Sequence, residues 1–124
     1  MLFRSFSFEK LIAWQKGREL AVLIYKTTKQ FPKDELFGLT SQMRRCSISI
    51  ASNLAEGSGR ISFKDKARFT EIAYSSSLEL LNQLILSNDL EYINEKEYTH
   101  IREKVLEVNM LIDGLYKSQK ANFT

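Results

Sequence analysis

Tyr98, Ile101, Val105, Val108, Ile112 and Leu115 follow one another at alternating spacings of three and four residues. That is the seam of a helix packed nearly parallel or antiparallel to its neighbours. Leu106, Met110 and Leu111 widen the stripe, and Asn94-Glu95-Lys96-Glu97 in front of it reads as a capping box with asparagine as the cap. A long helix with one apolar face cannot stand alone in water, so the rest of the chain must supply its partners.

Three further segments carry the same periodicity. Ala13, Gly17, Leu20 and Ile24 mark one face of a first helix, which Phe31-Pro32-Lys33 ends because proline cannot continue it. Leu39, Met43, Cys46, Ile50 and Leu54 mark a second. Gly57-Ser58-Gly59 closes it, with glycine expected to take the left-handed C-cap conformation. Ser62 is placed to cap a third helix, whose apolar sides hold Phe63, Ala67, Leu81 and Leu84 and, separately, Phe69, Ile72 and Leu80. The expected spans are about 8–30, 36–57, 62–88 and 94–120, in one domain over 1–124. One proline and five glycines among 124 residues leave too little turn chemistry for a β-sandwich or barrel. With short connections, sequential helices run antiparallel. The fold expected is all-α, an antiparallel up-down-up-down four-helix bundle.

The first three helices each carry a second stripe of apolar or small residues, such as Ile48, Ala51 and Ala55. Either the stripes merge into one broad core face or they pack against another subunit, which points to a homo-oligomer.

Several function classes find little support. The longest uncharged run, Cys46–Ala55, has ten residues, against about 20 for a membrane span. The opening MLFRSFSFEKL lacks the apolar core of a secretion signal. A single cysteine makes no internal disulfide, and the expected location is cytoplasmic. His100 has no second histidine or cysteine at metal-ligand spacing, Cys46 has no visible base, and Glu71 and Glu79 lack the Glu-x-x-His pattern of di-iron bundles. No catalytic residue, metal or cofactor is expected.

The charges divide unevenly. Residues 1–68 carry a net +7 and residues 69–124 a net −4, within a total of +3. Arg44 and Arg45 form one basic site; Arg60, Lys64, Lys66 and Arg68 form another, with Asp65 among them. Such clusters hold phosphates with an affinity that falls as salt rises, or they are ordinary solvated surface.

Trp14-Gln15-Lys16, Phe31-Pro32-Lys33, Gly38-Leu39-Thr40-Ser41-Gln42-Met43-Arg44-Arg45 and Ser52-Asn53-Leu54-Ala55-Glu56-Gly57-Ser58-Gly59-Arg60 occur in that order. Phe69, Ile72-Ala73, Ser77, Glu79 and Gln83-Leu84 follow. Together they resemble the four-helix-bundle family named for the 23S rRNA intervening sequence, also called S23 proteins, over about residues 8–115. The resemblance implies a bacterial protein that assembles as a ring-like homopentamer and has no enzyme activity. It also implies kinship with the accessory protein of diversity-generating retroelements, which binds nucleic acid and a reverse transcriptase. RNA or DNA and a reverse transcriptase are therefore the partners it suggests; a protein adaptor without direct nucleic-acid contact is the alternative. Carried over by residue, Arg44, Arg45 and Arg60 match basic positions of the family, with Lys64, Lys66 and Arg68 in a more variable stretch. Asn53, Glu56 and Gly57 match its helix-2 ending and are read as structural. Ala51 stands where the family often has proline, which implies a straighter helix here.

Overall fold

The computed structural model describes residues 3–124. Four α-helices account for most of them: α1 (Ile12–Thr28), α2 (Leu39–Ser58), α3 (Phe63–Asp89) and α4 (Glu95–Lys120). Short 3-10 turns at Ser7–Lys10 and Lys33–Glu35 precede α1 and α2. Each helix packs on its sequence neighbours, and α1 closes the bundle against α4. Four residues join α2 to α3 and five join α3 to α4, too few for anything but an antiparallel reversal.

The core follows the periodicity. Ile101, Val105, Val108 and Ile112 of α4 are buried against Leu20 and Ile24 of α1, Met43, Ile50 and Leu54 of α2, and Leu80 and Leu84 of α3. Two polar pairs at this core are bonded across helices. Thr70 Oγ1 donates to Gln119 Oε1 at 2.7 Å, and Asn109 Nδ2 donates to Ser77 Oγ at 2.9 Å. These bonds tie α3 to α4 at fixed heights and discourage sliding along the heptad seam.

The helix ends have specific causes. Ser62 Oγ accepts from the Asp65 N–H at the start of α3. At the start of α4, Asn94 accepts from the Glu97 N–H while the Glu97 carboxylate accepts from the Asn94 N–H. The end of α3 is a Schellman motif: the Tyr92 N–H reaches the Ser87 carbonyl and the Glu91 N–H the Asn88 carbonyl. Its left-handed residue is Glu91, at φ 62°, and no glycine among the described residues has a positive φ. The expected left-handed glycine after α2 is thus replaced by an ordinary right-handed Gly59, at φ −87°. Gly57 lies inside α2 and is buried. Its bare Cα lets α3 approach, since an added methyl would meet Phe69 Cβ at 2.8 Å. α2 runs unbroken through Ala51.

Candidate functional site

The connection between α2 and α3 is held from both sides. Lys66 Nζ donates to the Ser58 carbonyl at 2.8 Å, placing a cation on the carbonyl end of α2 where the helix dipole favours it. The Arg60 guanidinium lies over the Phe69 ring, 4.4 Å from its centroid, and Phe69 itself packs on Gly57. Lys64 and Arg68 stand one turn apart on α3, both exposed. The ion pairs among the described residues, Lys16–Glu19 and Lys117–Asp113, lie elsewhere, so Arg60, Lys64 and Arg68 are three cations without a carboxylate partner among those residues. Lys66 is half-buried and turned to the helix end instead.

Arg44 and Arg45 belong to different surroundings. They precede Arg60 by some 15 residues, about 23 Å along α2 at 1.5 Å per residue. Arg44 Nε donates to Thr28 Oγ1 at 2.9 Å, Nη2 reaches the Tyr25 carbonyl at 3.4 Å, and the guanidinium lies over the Tyr25 ring. Its charge sits at the carbonyl end of α1. Arg45, by contrast, is exposed. The fold therefore sets Lys64 and Arg68 one turn apart on α3, lays Arg60 on Phe69 at the start of the same helix, commits Arg44 and Lys66 to helix ends, and leaves Arg45 apart.

Of the helix-2 motif, Asn53 Nδ2 donates to the Ser49 carbonyl at 2.8 Å and to Ser49 Oγ at 3.1 Å. Ser49 Oγ in turn pairs with Ser76 Oγ at 3.0 Å, linking α2 to α3. Glu56 is exposed on the last turn of α2.

Arg45 lines a feature that sequence reasoning missed: a cleft of about 270 Å³ between α2 and α3, shared with Gln42, Cys46, Ser49, Ser76 and Glu79. The spacing Gln42–Arg45–Ser49, with Ser76–Glu79 opposite, was the signal, because those steps put each set on one helix face. Burial, then the Glu79 carboxylate beside it, pushes the Cys46 thiol up to about 11. A thiol so raised stays protonated near neutral pH and is a poor nucleophile. Close by, Gln83 is buried, and its Oε1 has no hydrogen-bond partner among the described residues.

His100 is exposed on α4 beside Glu95, Lys96, Thr99 and Glu103, on a different helix pair from the Cys46 cleft. No group of three or more His, Cys, Asp or Glu side chains among the described residues could hold a metal ion. No helix among them is long and apolar enough to cross a membrane.

Apolar side chains reach the surface in several places, among them Phe37 before α2, 92% exposed, and Met110 of α4, 73% exposed. A groove of about 440 Å³ runs between the N-terminal turn, α1 and α2, lined by Phe8, Trp14, Val22, Ile48 and Ala51. The α2–α3 connection exposes Ile61 at 98% and Phe63 at 43%. Phe63 is thus only partly covered, although its periodicity placed it on a packed side of α3. It is the first residue of the helix.

Residues 9–114 match the family model described as 23S rRNA-intervening sequence protein. Among solved structures, the chain resembles a Bacteroides thetaiotaomicron protein described as of unknown function from the S23 ribosomal protein family. The two are 28% identical with a TM-score of 0.77, over 86% of this chain and 99% of that one. No curated protein matches the chain.

Proposed function

Since the chain belongs to the 23S rRNA-intervening sequence protein family, we propose that it is a non-enzymatic, homo-oligomeric bundle that holds RNA or DNA by its phosphates on a basic outer surface. The observation that carries this reading is the cluster of Arg60, Lys64 and Arg68, exposed and without carboxylate partners among the described residues. Lys66 adds to the potential beside these cations while serving the end of α2; Arg45 would make a separate phosphate contact farther back along α2, where Arg44 serves the end of α1. Contacts of this kind position a nucleic acid without reading its sequence. A ring of five copies, implied by the family resemblance, would repeat the cluster and raise the overall affinity by multivalency. The setting proposed is the bacterial cytoplasm.

The test is fluorescence anisotropy with labelled RNA and duplex DNA across a salt series. If the three cations each contact a duplex phosphate, log K falls against log salt with a slope of about −2.7 per protomer, and each alanine substitution removes about 0.9. The Arg60→Ala/Lys64→Ala/Arg68→Ala variant, shown folded by circular dichroism, is expected to lose most of the affinity. Absence of binding at low salt overturns the reading.

A second reading is a protein adaptor, such as a docking partner of a reverse transcriptase. It draws on the apolar groove of Phe8, Trp14, Val22 and Ile48. A partner held equally well at high salt and by the triple variant would favour it.

A further inference from the structure

The cations of the α2–α3 connection enclose an apolar pair. Ile61 follows Arg60 directly and is 98% exposed; Phe63 precedes Lys64 directly and is 43% exposed. Their exposure is set by the local frame. Ser62 between them caps α3, Lys66 fastens the end of α2, and Arg60 is laid on Phe69. A four-residue connection pinned at these points has no slack to fold Ile61 back onto the bundle. A solvated turn would do with polar residues at both positions, so an apolar side chain presented on a fixed turn among cations calls for an occupant.

We propose that this loop selects unpaired nucleotides over duplex: the Phe63 ring stacks on an exposed base, Ile61 packs against the adjoining base or sugar, and Arg60, Lys64 and Arg68 hold the flanking phosphates. This rests on the nucleic-acid reading above and names its substrate class. In a duplex both faces of each base are covered by its neighbours, leaving only backbone for the cations. An unpaired base offers a free π-face, and an aromatic side chain within a basic surface is the usual way to hold one. The size of the feature agrees. One isoleucine and part of a phenylalanine make a footprint on the scale of a base, small for anchoring to a bilayer, which ordinarily takes a longer apolar face or an acyl chain.

The test compares a single strand and a duplex of equal length by anisotropy at low salt, using wild type, Phe63→Leu and Ile61→Ser. A strand with 2-aminopurine at its centre reports stacking. Wild type is expected to favour the single strand and to quench 2-aminopurine. Phe63→Leu keeps apolar bulk but loses the π-face; it is expected to weaken single-strand binding by about 5- to 150-fold, the range of one stacked base. Duplex binding should change less than about twofold, as phosphate contacts remain, and the quenching should disappear. Both residues are exposed, so circular dichroism should show unchanged folds. Equal affinity for the two substrates, or equal loss from both in Phe63→Leu, overturns the loop proposal and leaves phosphate binding standing. No binding of either substrate by wild type overturns the proposed function and this inference together. Binding to phosphatidylserine vesicles that Ile61→Ser abolishes, with nucleic-acid affinity unchanged, would make the loop a membrane contact. A drop in mass by light scattering in either variant would make it a contact between copies of the chain.

Discussion

Phe69 packs its Cβ against the bare Cα of Gly57: a methyl added there would lie 2.8 Å from that Cβ and 3.4 Å from the Lys66 carbonyl oxygen. Neither atom is the far end of a flexible side chain, so relief requires α3 to move off α2. Gly57→Ala gains about 1 kcal/mol of helix propensity, but overpacking of this kind costs about 1–3 kcal/mol. We expect a net loss of stability, read as a lower urea midpoint with an unchanged m-value. A midpoint at or above that of wild type would mean that the two helices part there without cost.

Arg44 and Arg45 are adjacent in sequence and differ in what they hold. Arg44 ties α2 to the last turn of α1 through Thr28 and Tyr25. Replacing it by alanine removes two charge-assisted hydrogen bonds and the contact with the Tyr25 ring, and leaves Thr28 Oγ1 buried without its donor. A loss of about 1.5–3 kcal/mol is expected. Arg45→Ala should stay within about 0.5 kcal/mol of wild type, as an exposed side chain without a partner. Thermal melts of the two variants decide between them; equal losses would show that Arg44 is no more structural than its neighbour.

The four helices and the α3 and α4 caps were legible because helix periodicity and capping chemistry are local, written in residues three or four apart. Gly57 and Glu91 show where locality ends. Glycines after α2 suggested a left-handed cap, yet Gly57 answers to Phe69, twelve residues on, and the left-handed residue is Glu91. Whether a glycine serves φ or close approach depends on what lies opposite. The basic candidates divide for the same reason. Arg60, Lys64 and Arg68 are near one another in the chain, and all three remain exposed around the start of α3. Arg44 and Lys66 have polar partners that composition cannot reveal: a threonine hydroxyl on α1 and the carbonyl end of α2. The Cys46 cleft needed both helices at once, since Glu79 lies 33 positions beyond the thiol.

That cleft makes a prediction about thiol chemistry. Cys46 titrates at about 11 rather than its ordinary 9.0, chiefly because it is buried and secondarily because Glu79 faces it. At pH 8 the thiolate fraction is then about a hundredfold below that of a free cysteine, since each unit is tenfold. Only the thiolate attacks disulfide reagents, so labelling of the folded chain by a thiol-reactive dye should be at least about a hundredfold slower than in urea. Its rate should still be rising between pH 9 and 11, where an ordinary cysteine levels off. Glu79→Gln removes the facing carboxylate and should accelerate labelling, but not to the rate in urea, because burial, the larger cause, remains. Fast labelling of the folded wild type at pH 8 would show instead that the cleft opens enough to hydrate the sulfur and that neither burial nor Glu79 holds its proton.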